Sequence, residues 1–284
     1  MSSPTVRYRL HRRLPLVWRA EGVLQLGLDD GLVLRGVPEE LPQVLLALAE
    51  PRTRNELAAL APSVPAAWVD WLLDRLTTAG LLTTGPLQLP PVGIWGAGRL
   101  AEMIASGLER PGVAEVIRTA HLRPRGRRRA AASPPPGWSD PARDLPGLVV
   151  VAPDAQEPDR TLTDALARSG RTHLVVRLEP DRAVVGPLVI PGRTPCVRCH
   201  DLLRCRYDPA WPLLVAQLSR DRPAPDPVLL QWAASTAVVQ LRCLLAWGEP
   251  DATGRTLELS SADHVLRSRD WRLHPGCGCV LTAA

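Results

Sequence analysis

Gly186-Pro-Leu-Val-Ile-Pro-Gly-Arg-Thr-Pro-Cys196-Val-Arg-Cys199 decides how this chain is read, because a second knuckle, Cys277-Gly-Cys279, follows seventy-eight residues after Cys199. Four thiols in two tight pairs make a metal site. Zn²⁺ takes four thiolates in a tetrahedron at about 2.3 Å, and a spacer of one or two residues lets one turn present two sulfurs to one ion. Pro195 and Gly278 suit such turns. The rival reading is a redox Cys-x-x-Cys pair, which would open a helix just after a strand and would need no remote Cys-x-Cys. With Cys196, Cys199, Cys277 and Cys279 all as ligands, no position remains for water or substrate. Such a closed site is structural, and its binding free energy helps fold the C-terminal third. His200 and His274 flank the knuckles and read as surface or capping residues more readily than as reserve ligands. Of the two remaining cysteines, Cys243 sits in an apolar helical run as a small buried hydrophobe, and Cys205 stands alone.

The length, 284 residues with 45% apolar content, allows two compact domains. No run approaches the roughly 18 consecutive apolar residues of a membrane span, and Met1-Ser-Ser-Pro opens no signal peptide. With thiolate ligands, these features lead us to expect a reducing cytoplasm. All 34 basic residues are arginine and none is lysine, which excludes any mechanism that needs a lysine. Asn55 is the one asparagine. A formal charge of +5 needs no nucleic acid to explain it.

Residues 1–90 read as a winged-helix-like α+β unit. Pro15–Arg19, Val23–Leu28 and Leu32–Val37 have strand character, with a turn signal at Asp29-Asp30-Gly31. Helical periodicity follows around Leu41–Leu48, over Arg54–Leu60, and over Ala66–Ala79 with Trp68, Leu72, Leu76 and Ala79 on one stripe, ended by Gly80. A DNA-reading third helix would be basic. This one carries Asp70, Trp71, Asp74 and only Arg75, so peptide capture fits better than DNA. The strand around Val33 and Arg35, if left at a sheet edge, could take an extended peptide as an added strand. Asp70, Trp71 and Asp74 of the helix would form the other wall. A domain that merely packs against the rest is the bland alternative.

Residues 91–180 read as a Rossmann-like half. Pro91-Val-Gly-Ile-Trp-Gly96-Ala-Gly98-Arg-Leu-Ala101 is strand, glycine turn and helix, in which backbone N–H groups can approach a phosphate. The second strand, Ala114–Thr119, ends at Thr119-Ala120-His121 without the carboxylate that would hold a ribose, so a purely structural turn stays open as an alternative. Residues 123–137 are a basic, proline-rich connection that reads as a solvated loop. Strand Gly147–Ala152 delivers Asp154 to its C-terminal end, and helix Asp159–Ser169 and strand His173–Leu178 complete a parallel βαβ unit. Further on, Leu213–Leu218 and Val228–Trp247 are helical. The latter has Leu229, Trp232, Ala233, Thr236, Val239, Gln240 and Cys243 along one stripe, and the paired strands Thr256–Ser260 and His264–Trp271 lead back to Cys277.

This order of elements, over about residues 91–280, resembles the ThiF/MoeB-type adenylyltransferase superfamily, which includes the activating enzymes of ubiquitin-like proteins. The run Gly186–Gln217, with Asp208-Pro-Ala-Trp-Pro212, and the ending His274-Pro-Gly-Cys-Gly-Cys279 look like one branch of it, the leader-peptide-binding partner proteins of azoline-forming cyclodehydratases. The resemblance implies an α/β architecture: a winged-helix-like peptide-clamp domain over 1–90, then a Rossmann-like ThiF-type domain over 91–284 with a structural zinc site. Active members bind ATP with a glycine turn, an acid after the second strand, an Asn/Arg/Lys set in the crossover and an Asp after a later strand. Gly96, Gly98 and Asp154 match the first and last of these. The second-strand acid is replaced around His121, and the crossover lacks Asn and Lys. Both departures argue against ATP and Mg²⁺ as working cofactors.

The resemblance therefore implies a non-catalytic, Zn²⁺-stabilised protein, dimeric as its relatives commonly are. It would hold the leader of a ribosomally made precursor peptide and present it to a separate cyclodehydratase or other modifying enzyme. The alternatives are ATP-dependent adenylylation of a protein or peptide C-terminus, and a winged-helix DNA-binding or scaffold protein.

Overall fold

The computed structural model describes residues 6–10, 14–29, 31–84, 90–109, 114–118, 142, 144–222, 224, 226–248 and 250–279. Residues His121 and 123–137, singled out above, lie outside the described residues. The chain divides into two compact units, Met1–Leu87 and Gln88–Ala284.

The first unit runs β1 (Arg7–Leu10), β2 (Leu16–Ala20), β3 (Val23–Leu26), β4 (Leu32–Arg35), α1 (Leu41–Ala47), β5 (Arg52–Thr53), α2 (Arg54–Ala59), α3 (Ala66–Thr78) and β6 (Leu82–Thr84). Strands β2, β3 and β4 form an antiparallel meander in which Leu24 faces Leu34, and both side chains are buried. A second small sheet, β5-β1-β6, escaped the sequence pattern because strands of two to four residues are too short for alternation to register. Helix α2 begins with a reciprocal cap. The Thr53 hydroxyl accepts from the Glu56 N–H at 3.1 Å, and the Glu56 carboxylate accepts from the Thr53 N–H at 2.7 Å. Helix α3 buries Val69, Leu72, Leu73 and Leu76. Trp68 and Ala79 do not belong to that stripe. Ala79 is exposed and Trp68 half-buried, because the buried arc is centred one residue later than the large aromatic suggested.

The second unit runs β7 (Val92–Trp95), α4 (Arg99–Leu108), β8 (Val116–Arg118), β9 (Leu148–Val151), α5 (Arg160–Arg168), β10 (Thr172–Leu178), β11 (Arg182–Val189), α6 (Val197–Cys205), α7 (Trp211–Leu218), α8 (Pro227–Trp247), β12 (Arg255–Ser260) and β13 (Leu266–Asp270). Its sheet has the order β13-β12-β11-β10-β9-β7-β8; β8, β7, β9 and β10 are parallel, and β11 to β13 return antiparallel. All four side chains of β9 are buried, as a parallel strand covered on both faces requires. One face packs on α4 and α8 through Ile94, Ile104, Val150, Val176 and Ala233, and the other on α5 and the start of α6 through Val149, Val175, Leu162 and Val197.

Helix α8 starts at the Asp226 side chain, which accepts from the Val228 N–H, and ends at Gly248 with φ +80°. Its buried arc is Leu229, Leu230, Ala233, Ala234, Ala237, Gln240 and Leu241. Val239, placed on the inner stripe by the sequence pattern, is 53% exposed and shares the outer arc with Gln231, Ser235 and Arg242. The stretch Pro227–Leu245 has the length and mean hydropathy (1.4) of a membrane span, although no run of consecutive apolar residues in it is that long. Its inner side packs on α4, β10 and β11, as the helix of a core does.

Candidate functional site

The two knuckles meet. Strand β11 and the turn after it bring Cys196 to the N-cap of α6, with Cys199 one turn inside, while the chain beyond β13 returns Cys277 and Cys279. The Sγ atoms lie 3.5 Å apart for Cys196 and Cys277, 3.4 Å for Cys199 and Cys279, and 4.0 Å for Cys196 and Cys199. All four lie within 4.8 Å of one another. A tetrahedron of thiolates on one Zn²⁺ has S···S edges of roughly 3.8 Å, so the four sulfurs fit a single ion.

The Cys-x-x-Cys pair does open a helix, as a redox pair would, but its sulfurs are shared with two more. His274 and His200 are engaged elsewhere. The His274 ring accepts from the Gly276 N–H at 3.1 Å, its backbone N–H donates to Cys199 Sγ at 3.4 Å, and His200 stacks on Trp271 at 3.8 Å between ring centroids. Cys205 and Cys243 are free thiols outside the cluster. The Cys199 thiol is lowered to about 4, above all by the hydrogen bond from Cys196, whose own thiol is raised in consequence. The Cys277 thiol is pushed up to about 11, chiefly by burial. Four thiols packed this closely do not all ionise near neutrality by themselves, and a divalent cation supplies the charge that lets them.

The glycine turn and Asp154 also come together. In the strand order β8-β7-β9-β10 the direction of winding reverses between β7 and β9, the crevice where open α/β sheets take ligands. Gly96 leaves β7 with φ +149°, and a Cβ there would lie 2.0 Å from the Ala152 carbonyl oxygen, so only glycine fits against the end of β9. Gly98 caps α4 without a side-chain hydrogen bond, and a Cβ on it would lie 2.0 Å from Asp154 Oδ1. The carboxylate therefore sits against the helix N-terminus where a phosphate would approach. The cavity there is about 190 Å³ and is lined by Arg99, Leu100, Asp154, Leu178, Arg222 and Leu230. Ordinary small-molecule pockets begin near 300 Å³, so the cavity among the described residues is a small one. Arg222 was not singled out from the sequence, since nothing in its spacing links it to the turn, and Arg99, next to Gly98, was quoted with the turn but given no role.

In the first unit, β4 pairs with β3 on one side and with no other strand among the described residues. Leu34 points into the core, while Val33 is half-buried and Arg35 exposed. Asp70 is held by Arg54 of α2 in a two-point ion pair at 2.5 and 2.6 Å, which keeps its carboxyl below the usual range. Asp74 is exposed. Trp71 is half-buried against the core and meets Trp68 edge-on at 5.1 Å between ring centroids. Trp68 also reaches the end of β4, where a Cβ on Gly36 would lie 3.8 Å from its ring. The sequence pattern assigned Trp68 to the core and so missed its place at the strand.

No family model and no curated protein matches the chain. Solved structures do. A heterocyclase in complex with substrate and cofactor superposes with a TM-score of 0.63 at 18% identity, over 97% of this chain and 40% of that one. The heterocyclase TruD gives 0.59 at 19% identity, over 97% and 43%. E. coli MccB, solved with AMPCPP and MccA, gives 0.56 at 15% identity, over 96% of this chain and 99% of that one. This chain spans about two fifths of the length of the two heterocyclases. At these identities the likeness is one of architecture, and the chain has the fold that the two heterocyclases and MccB share.

Proposed function

We infer that this chain is a non-catalytic carrier of a precursor peptide. It grips the leader in its first unit, a winged-helix-like clamp, and offers the rest to a separate cyclodehydratase or other modifying enzyme. The observation that carries this reading is the edge of β4, which has no second strand partner among the described residues and whose end Trp68 of α3 reaches. An extended peptide can add there as a strand, with Val33 and Arg35 beneath it and the Trp68–Trp71 pair as a wall. Support comes from a fold shared over nearly the whole chain with a heterocyclase solved with its substrate. The missing acid after the second strand and a crossover without Asn or Lys argue against nucleotide chemistry. The four cysteines hold a structural Zn²⁺, which cross-links α6 to the chain beyond β13 and leaves no coordination position for a substrate. We assign the protein to the cytoplasm, as a homodimer. Calorimetric titration with precursor peptides encoded beside it tests the reading. Micromolar binding that weakens on Trp68→Ala is expected, and no binding to any of them refutes it.

Adenylylation of a peptide C-terminus is the second reading, favoured by one observation: Gly96, Gly98 and Asp154 do converge at the switch point, as in a fold that MccB shares over its full length. ATP–pyrophosphate exchange decides it. Exchange abolished by Asp154→Ala would establish this reading over the first.

A further inference from the structure

On the face of the second unit covered by α6, most of the half-buried guanidiniums are paired and Arg204 is not. Arg160 makes a two-point pair with Asp201 at 2.7 and 2.9 Å and reaches Glu157 at 3.0 Å. Arg177 meets Glu179 at 2.5 Å and Glu157 at 3.6 Å. Arg182 and Arg269 share Glu258, at 3.4 and 3.6 Å. Asp201 is further engaged by the Trp211 indole N–H at 2.8 Å, and Glu258 by the Thr256 hydroxyl at 2.9 Å. Four carboxylates thus serve four guanidiniums, and the fifth, Arg204, has no acidic partner within 4.0 Å among the described residues. Its recorded side-chain contact is with the Trp211 ring, over which the guanidinium lies at 4.1 Å. Burial first and then the charge of Arg177 work against its protonated form, Glu157 beyond pairing distance partly offsets them, and Arg269 adds to them. A second donor on this face is also unmatched: Trp271, stacked on His200 of the same helix as Arg204, buries its Nε1–H with no acceptor.

We propose that Arg204, with Trp271 and His200 beside it, forms a binding site for one carboxylate side chain of an acidic peptide segment. The two unmatched groups set the ligand: a guanidinium without an acid partner and an N–H without an acceptor call for a single-charged acceptor. A phosphate dianion would bring two charges into a cluster that already holds four carboxylates. With its face against Trp211, the guanidinium keeps the in-plane N–H fork that matches a carboxylate two points at a time. Tyr207, 89% exposed, donates its backbone N–H to the Arg204 carbonyl at 2.9 Å. One turn on from Arg204, it offers apolar surface to a residue flanking the acid. The site belongs to the second unit and stands whether or not β4 takes a peptide.

The test is a titration of the full-length, metal-loaded protein, followed by ¹⁵N NMR at the Trp271 indole N–H, which is assigned with Trp271→Phe. The probes are N-acetyl-Glu-Leu-amide and its neutral counterpart N-acetyl-Gln-Leu-amide, with inorganic phosphate in a third arm. A saturable shift with the Glu probe is expected, weaker by about tenfold or more with the Gln probe and in Arg204→Gln. Equal responses to the two dipeptides, an undiminished response in a folded Arg204→Gln variant, tighter binding of phosphate, or no saturation with the Glu probe overturns the proposal. The paired dipeptides decide the matter on the wild-type protein alone, should Arg204→Gln fail to fold.

Discussion

Cys199 and His173 show how hydrogen bonding and burial set the chemistry of single residues in this protein. The Cys199 sulfur is drawn toward the thiolate by its neighbours, while Cys196 and Cys277 are held back, so a cation bound there would supply the charge that completes the set. Cys277→Ser should lower bound zinc from about one ion per chain to well below that, measured by metal analysis after dialysis. It should also lower the melting temperature. His173 is fully buried in β10. Its Nδ1–H donates to the Arg171 carbonyl at 2.9 Å, which leaves Nε2 without a partner, and burial lowers its pKa to about 4. The unfolded chain, with an ordinary histidine near 6.5, takes the proton first as pH falls. Stability from this residue is thus complete above about pH 6.5 and is lost between there and pH 4, by roughly 2–3 kcal/mol at pH 4.5. Urea midpoints at pH 7.5 and 4.5 check this. His173→Leu should shrink the difference between them by that amount, the carboxylates titrating alike in both proteins.

At the scale of the element, two junctions are held by features that a substitution can remove one at a time. The cap at the start of α2 satisfies two backbone donors reciprocally, and Thr53→Ala should destabilise the first unit by about 1 kcal/mol in denaturant titration. Where β7 turns into α4, a methyl group on Gly96 meets the end of β9, so Gly96→Ala should cost about 3 kcal/mol or more. Gly98→Ala meets the movable end of a side chain and should cost less, by swinging Asp154 aside. Comparing the thermal midpoints of the two variants checks the order. The charged cluster under α6 belongs to this scale as well: β10, β11, β12 and β13 each contribute a member, so its pairing is a property of the sheet edge.

For the whole molecule, the hydrophobic cores set the expected behaviour. One core draws only on residues of the first unit, and the other three, including the one around Cys196 and Cys199, only on residues of the second. Differential scanning calorimetry should therefore resolve two transitions. Chelation of the metal should move one of them down by several degrees and leave the other in place, because the ion is linked to one fold only. A single transition shifting as a whole would contradict this.

The sequence by itself determined the elements whose cause is local. The glycine turn of β7, the run of β-branched residues in β9, the length of α8, and the two cysteine knuckles are each written within a few residues, by backbone freedom, periodicity or ligand spacing. It also carried the expectation that the knuckles share one ion, since sulfurs at such spacings have few other uses. Tertiary structure decided what depends on partners far along the chain. It made β1, β5 and β6 a sheet though none is long enough to announce itself, moved Val239 to the outside of α8, and set Trp68 against β4 and out of the core. It also placed Asp154 against Gly98, and set Arg160, Arg177, Arg182 and Arg269 against their carboxylates. Local propensity and pattern are sums over neighbours in sequence. Burial, steric exclusion and charge pairing are fixed by neighbours in space, and only the folded sheet brings those together.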